Sequence, residues 1–436
     1  MDDPRKIALK ALLKVEKDKA YSNIALDNAL KGASLEKRDA GLCSAVFYGV
    51  IERKITLDYI ISALSSVKLA KIDLEILCIL RMGLFQMIYL DKIPVSAAVD
   101  QSVKLSKKVY NGRFSGFVNG VLRAYDRKKS EIKYPLENTP EYLHIKYSCP
   151  KEIIELWQKS YGREVMEELL KESLKEPPVT IRVNTAKISS LELLKIFEQK
   201  KIEANSHENM PNAFDVIGAG DILSLGEYKN GLFYLQDLAS QICCECLAPS
   251  GEDIILDVCA APGGKSFTIA QSLVKGGTVY SFDLYEERVK QIKEGAKRLG
   301  LLNIKASVRD AANGMSEIFA DKILVDAPCS GLGVIRRKPE IKYKELDDSI
   351  AKIQLDILTN SAKYLKPDGL LLYSTCTLNP SENEDVINAF LKTHSDFSLF
   401  KIKIPAVKES FSTLTLFPHI NKTDGFFIAV MKKTDL

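Results

Sequence analysis

Apolar residues recur every three to four positions through the first 130 residues. Ile7, Leu9, Leu12, Leu13 and Val15 share one helical face, and Ile76, Leu77, Leu80, Leu84 and Met87 share another. Pro94, the one internal proline of this stretch, opens a further helical run through Val99, Val103 and Leu105. With few glycines between these runs, the pattern predicts an all-α bundle over 1–130.

The period changes after residue 131. Pro135, Pro140 and Pro150 break the chain before a helix carrying Ile153, Ile154, Leu156 and Trp157. Beyond Pro177 and Pro178, residues 179–184 alternate as a strand, 189–199 read as a helix, and a short strand is predicted near 213–217. Strands and helices mixed on this scale predict a small α+β module over 131–235, of ferredoxin-like or RNA-recognition topology.

From residue 236 onward apolar runs at 254–258, 278–282, 304–308, 322–325 and 369–373 alternate with helical stretches, which predicts a doubly wound, Rossmann-like parallel sheet. Two later runs, near 397–402 and 425–431, predict an antiparallel pair at one edge. The expected fold class is therefore α/β, preceded by the all-α domain and the α+β module, with domains at 1–130, 131–235 and 236–436.

Charge divides unevenly along this plan. The net charge is +4, but residues 1–130 hold 23 Lys or Arg against 14 Asp or Glu, a balance of +9 that leaves −5 for the rest. Lys107, Lys108 and Arg113 stand near Tyr110 and Phe114, and Arg123, Arg127, Lys128 and Lys129 follow. Such a surface suits a phosphate backbone, or simply keeps a helical bundle in solution. No run approaches the roughly 18 to 20 apolar residues that span a bilayer, and the amino terminus does not read as a signal peptide. A soluble, cytoplasmic protein is expected. Nine cysteines without regular spacing favour free thiols over a disulfide framework. Cys243, Cys244 and Cys246 cluster, but without C-x-x-C spacing or a nearby histidine, so they are expected in the core and no metal is expected.

Two cysteines have a different setting. Cys329, in Asp326-Ala327-Pro328-Cys329-Ser330-Gly331, and Cys376, in Ser374-Thr375-Cys376-Thr377, each close an apolar run, so parallel strands would deliver both thiols to the carboxyl edge where open α/β sheets bind ligands. A third run leads into Cys259-Ala260-Ala261-Pro262-Gly263-Gly264-Lys265-Ser266 and then a helix, the layout of a nucleotide-type cofactor loop. A phosphate-binding loop is the rival reading, but Cys259 replaces its first glycine and Pro262 stiffens a loop that must curl around phosphate. A dehydrogenase would need G-x-G-x-x-G. Asp283 ends the second strand, where a carboxylate can accept from ribose hydroxyls, and Asp310 follows the third, where it can face an adenine amino group. Acidic surroundings suit the cationic sulfonium of S-adenosyl-L-methionine better than a triphosphate.

These three motifs, Asp257 to Lys265, Asp326 to Gly331 and Ser374 to Cys376, resemble the signatures of the RNA cytosine-C5 methyltransferases. Phe117-Val118-Asn119-Gly120-Val121-Leu122-Arg123, with Ile93-Pro94 upstream, resembles a NusB-type RNA-binding domain. The resemblance covers nearly the whole chain. It implies methyl transfer from S-adenosyl-L-methionine to C5 of a cytosine in 16S ribosomal RNA, by a monomer. It assigns Cys376 as the nucleophile that adds to C6 and Cys329 as the group that breaks the adduct down, through removal of the C5 proton. Asp326 would meet N3 or the exocyclic amine of the base. Cys259, Ala260, Ala261, Pro262, Gly263, Gly264 and Lys265, with Asp283, Asp310 and Asp326, would form the cofactor site. Arg336, Arg337 and Lys338 are expected to meet RNA phosphates, although Lys338 and Tyr343 stand where the family pattern has His and Trp. A C5-methyltransferase acting on another RNA such as tRNA, and a non-catalytic RNA-binding ribosome assembly factor, remain the alternatives. Glu382, Asn383, Glu384 and Asp385 read as a first helical turn with Ser381 a candidate N-cap, and a catalytic carboxylate among them is the alternative.

Overall fold

Asp3 accepts a hydrogen bond from the Arg5 amide at 3.0 Å and Pro4 takes the first helical position, so the chain enters its first helix, Pro4–Asp18, at once. In the computed structural model, which describes residues 2–137, 139–314 and 318–434, six more long helices follow: Ser22–Lys31, Lys37–Glu52, Lys54–Leu64, Leu74–Tyr89, Val95–Tyr110 and Ser115–Lys128. Their apolar faces meet in one core that includes Leu12, Phe47, Leu57, Ile61, Leu80 and Leu122. Gly49 lets two of these helices approach closely, since a Cβ there would stand 1.9 Å from the Phe85 ring. Arg81, 4% exposed, donates to both carboxylate oxygens of Asp58 at 2.7 and 2.8 Å and to Glu16 at 3.2 Å, which satisfies its buried charge. Among the described residues no helix is long and apolar enough to cross a membrane.

Contacts divide the chain into two compact units. The first joins Met1–Glu176 to a separate segment, Ile335–Glu345, and so includes the helices Pro140–Lys146 and Lys151–Glu172. The second comprises Pro177–Val334 and Leu346–Leu436.

The second unit contains two sheets. The smaller is built from β1 (Thr180–Val183), β2 (Glu203–His207), β3 (Met210–Ile217) and β4 (Phe233–Leu235), with helix Ser190–Gln199 between β1 and β2. Its order is β2-β3-β1-β4 with every pair antiparallel, the ferredoxin-like arrangement. Ser189 and Glu192 form a capping box at the start of the helix. The sequence pattern missed β2, whose residues are mostly exposed, and β4, which is three residues long.

The larger sheet carries β5 (Ile254–Asp257), β6 (Thr278–Asp283), β7 (Ile304–Val308), β8 (Ala320–Asp326), β9 (Leu365–Thr375), β10 (Phe397–Leu399), β11 (Thr413–Leu416) and β12 (Phe426–Lys433). The order is β10-β12-β9-β8-β5-β6-β7, with β5 to β9 parallel. β12 runs antiparallel between β9 and β10, and β11 also pairs with it. The expected edge pair is thus present, extended by a third short strand. The winding direction reverses between β5 and β8, and this switch point opens a crevice at the carboxyl ends of the strands.

Candidate active site

The switch point gathers the expected residues. Asp257 ends β5, Asp283 ends β6, Asp310 lies two residues past β7, Asp326 ends β8 and Cys376 follows β9 directly. Strands β8 and β9 pair Val325 with Tyr373 and Asp326 with Ser374, so the segments leaving them start level. Cys329 lies three residues beyond one member of that pair and Cys376 two beyond the other. Their sulfurs stand 3.3 Å apart.

Hydrogen bonds sew the two segments together. The Ala327 amide donates to Ser374 O at 2.9 Å, the Gly333 amide to Cys376 O at 3.0 Å and the Leu332 amide to Thr377 Oγ1 at 3.3 Å. A Cβ on Gly333 would stand 2.0 Å from Gly425 O and 2.8 Å from Cys376 O, so only glycine fits there. The hydrogen bond with Cys376, then burial, then the nearby charge of Glu382 push the Cys329 thiol well above its ordinary value. Together these effects disfavour the Cys329 thiolate.

Asp326 is the meeting point of the cysteine loop and the glycine loop. Its Oδ1 accepts from Ser374 Oγ at 2.9 Å and its Oδ2 from Lys265 Nζ at 2.6 Å. Lys265 also lies 5.2 Å from the centre of the Phe426 ring. Burial alone would discharge this lysine, but Asp326 outweighs it and raises the ammonium above its usual value. Lys265 is thus part of the site and not a surface lysine.

The glycine loop turns at Gly263, whose φ of 109° places it in left-handed space, and helix Gly264–Ser272 begins at the next residue. A Cβ at Gly263 would meet the Phe267 ring at 2.4 Å. Beneath the loop Asp257 is fully buried: Ser266 Oγ donates to its Oδ2 at 2.6 Å, while Oδ1 has no partner. Burial pushes its carboxyl up to about 7. Asp283, 5% exposed, accepts from the Tyr285 amide at 3.2 Å. Asp310 accepts from the Ala312 amide at 3.0 Å and Asn313 Nδ2 at 2.7 Å. Carboxylates at three successive strand ends and a loop bared by glycine fit an adenosyl group carrying a positive sulfonium. Lys265 partly offsets Asp326, and Arg288, itself exposed, stands 3.8 Å from Asp283 Oδ2.

Sequence reasoning assigned no site role to Asp257 or Asn383, and it weighed a carboxylate among Glu382 to Asp385 only as the alternative to a helix start. Glu382, 2% exposed, lies on a 3-10 turn, Pro380–Glu382, and Asn383 caps the following helix, Glu384–Thr393. Ser381 is not the N-cap: the Asn379 side chain accepts from the Ser381 amide and heads the 3-10 turn instead. The signal available was a proline followed by four acidic or amide residues, which a solvated helix start explains equally well. Cys243, Cys244 and Cys246 are buried on helix Leu238–Cys246.

The segment expected to meet RNA belongs to the first unit. There the buried Lys342 donates to Glu52 O at 2.7 Å and Tyr343 OH to Ile51 O at 2.8 Å, while Glu340 accepts from the Ser22 amide at 3.0 Å. Lys338 is exposed, 5.9 Å from the centre of the Tyr21 ring.

Comparison with known proteins matches this architecture. Residues 244–432 match the 16S rRNA methyltransferase RsmB/F family, residues 2–127 the NusB family, and residues 149–222 the ferredoxin-like domain of RsmF/B-like methyltransferases. A Bacillus subtilis (strain 168) protein named "Probable ribosomal RNA small subunit methyltransferase B" is 40% identical over 98% of both chains. A Synechocystis protein of the same name is 33% identical over 99% of this chain and all of its own. The crystal structure of PH0851 superposes with a TM-score of 0.84, at 26% identity over 99% of both chains. That of NSun6 from Pyrococcus horikoshii with SFG gives 0.59, at 25% identity over 66% of this chain and 99% of its own. The chain belongs to the RsmB/F family of 16S rRNA methyltransferases.

Proposed function

We propose that this chain transfers a methyl group from S-adenosyl-L-methionine to C5 of a cytosine in 16S ribosomal RNA, through a covalent adduct between Cys376 and C6 of the base. The observation that carries this reading is the pair of sulfurs 3.3 Å apart at the ends of adjacent parallel strands, beside the glycine loop. C5 of cytosine is a poor nucleophile. Addition of the Cys376 sulfur to C6 feeds electron density into the ring, and C5 can then attack an electrophilic methyl. S-adenosyl-L-methionine, when bound, supplies that methyl on a sulfonium.

The chain's own groups divide the remaining work. Cys259 to Lys265, Asp283, Asp310 and Asp326 hold the donor. Asp326, oriented by Ser374 and Lys265, faces the base, where it accepts a hydrogen bond from the exocyclic amine or from a protonated N3. After methyl transfer the C5 proton leaves, the C5–C6 double bond re-forms and the Cys376–C6 bond breaks. A protonated Cys329 suits donation to the departing Cys376 sulfur better than removal of the C5 proton, which leaves the base unassigned. The helical and ferredoxin-like modules select the RNA, on the likeness of residues 2–127 to the NusB family.

The test incubates Cys329→Ala with small-subunit RNA and the methyl donor. A stable protein–RNA adduct is expected, and it disappears when Cys376 is also replaced. Full activity in Cys376→Ala, with no adduct from Cys329→Ala, refutes the assignment. Mass mapping of the methylated base in RNA from cells lacking the gene identifies the target.

A further inference from the structure

The two thiols are bracketed by consecutive residues, and the reading above gives neither of these a duty. Asn383, fully buried, accepts from Thr375 Oγ1 at 2.6 Å and donates to Thr377 O at 3.0 Å, and so grips the chain on both sides of Cys376. Glu382 does the same for Cys329. Its Oε2 accepts from the Ser330 amide at 2.8 Å and from Gln354 Nε2 at 3.1 Å, and that amide group also donates to Pro328 O at 2.8 Å. Its Oε1 accepts from Ser330 Oγ at 2.5 Å and from Asn379 Nδ2 at 2.9 Å. Four donors on one buried carboxylate are more than a structural turn of this length requires.

We propose that Glu382 is a positioning residue for the thiol pair: it fixes Ser330 and Pro328 on either side of Cys329, and its charge keeps Cys329 a proton donor toward Cys376. The proposal rests on Cys329 assisting release of the Cys376 adduct. The hydroxyl chain has one direction. Because the carboxylate accepts, Ser330 Oγ–H donates to Glu382, so the 2.7 Å contact between Ser330 and Thr377 is Thr377 donating to Ser330, and Thr377 in turn accepts from the Leu332 amide. With both hydroxyls of the loop committed in this way, the Cys329 and Cys376 sulfurs, 3.3 Å apart, are left to each other.

The groups bearing on the Cys329 thiol are Cys376 and Glu382, and the buried Tyr373 faces the same cluster while its hydroxyl donates to Glu382 O at 2.6 Å. The backbone hydrogen bond with Cys376 acts in the opposite direction and lowers the thiol. The carboxylate adds its repulsion to that of burial, so removing its charge makes the Cys329 thiolate easier to form.

Two measurements on the full chain separate this from a merely structural role. The first is the rate at which iodoacetamide labels Cys329 at pH 8 in the free protein, resolved by peptide mass spectrometry. Glu382→Gln is expected to label roughly fivefold faster or more, since a like charge a few ångströms away shifts a thiol by about one pH unit. Glu382→Asp, which keeps the charge, labels near the wild-type rate. The second is decay of the protein–RNA adduct between pH 7 and 9. Release stays level in the wild type, whereas in Glu382→Gln it falls as pH rises, with adduct accumulating.

Equal labelling in wild type and Glu382→Gln, or equal behaviour of the Gln and Asp variants, overturns the proposal. Should Glu382→Gln not fold, Ser330→Ala removes one of the four donors alone. It should slow adduct decay, and wild-type decay in that variant is equally decisive against the idea. Absence of any adduct from Cys329→Ala refutes the mechanism beneath, while the labelling comparison still tests the hold of Glu382 on Cys329.

Discussion

Asp257 offers the sharpest quantitative test of the cofactor loop. It is fully buried, one oxygen satisfied by Ser266 and the other by nothing, and burial together with the negative charges of Asp326 and Asp283 raises its carboxyl to about 7. In an unfolded chain an aspartate titrates near 4. The fold therefore retains a proton that the unfolded chain releases between those values. Stability is greatest below about pH 4, declines as pH rises through the window and levels off above about 7. At about 1.4 kcal/mol per pH unit, the full cost of ionising Asp257 in the fold is about 4 kcal/mol, of which roughly 3 kcal/mol accrues between pH 5 and 8.

Asp257→Asn removes the titration while keeping the shape and the acceptor for Ser266. A buried amide without an acceptor adds a constant cost of about 1–3 kcal/mol, but that offset does not vary with pH. The wild type should thus lose roughly 3 kcal/mol more stability than the variant from pH 5 to pH 8, the difference cancelling every group the two share. The chain is equilibrated in urea at each pH, pulse-labelled with deuterium, and read on peptides covering β5 and β6. The single tryptophan, Trp157, lies in the first unit, and its fluorescence transition serves as an internal control that should not respond. Parallel loss of stability in the two proteins across this range refutes the reasoning.

Three further outcomes are expected. Lys265→Met leaves Asp326 without its 2.6 Å partner and should cost about 3 kcal/mol in the second unit, and adding Asp326→Asn should recover much of it, as urea midpoints will show. Gly333→Ala forces a methyl against Gly425 O and Cys376 O, so methyl transfer should fall by at least tenfold while the Trp157 transition stays unchanged, and wild-type turnover would count against the close approach. Burial lowers Lys342 to about 8, so the first unit should gain about 2 kcal/mol as pH rises from 8 to 10, and Lys342→Met should flatten that rise in Trp157 fluorescence titrations.

The α/β plan was legible because buried parallel strands read as short apolar runs: 254–258 and 304–308 differ from the observed strands by a residue or none. β9 is longer than its apolar run because Leu365 to Asp368 join through a polar stretch that periodicity discounts. The thiol pair was legible from motif spacing, since parallel register carries residues beyond two neighbouring strand ends to one place. Glu382, Asn383 and Gln354 were not, because their meaning lies in partners 52, 8 and 26 residues away that no local pattern encodes. The anchoring of Lys342 and Tyr343 was illegible for a related reason. Lys342 donates to the backbone of Glu52, 290 residues away in the chain.

Such distant partners also hold the catalytic loop. The stretch from Asp326 to Val334 is fixed at its start by β8 and along its length by Ser374, Cys376, Thr377 and Glu382. The residue after Val334 begins the segment that belongs to the first unit, where Glu340, Lys342 and Tyr343 are anchored by Ser22, Glu52 and Ile51. A loop restrained along its length has little conformational freedom left to lose when a base arrives, and small errors in sulfur position cost rate steeply. Placing Cys329 therefore draws on Ser374, Cys376, Thr377 and Glu382, all within the second unit.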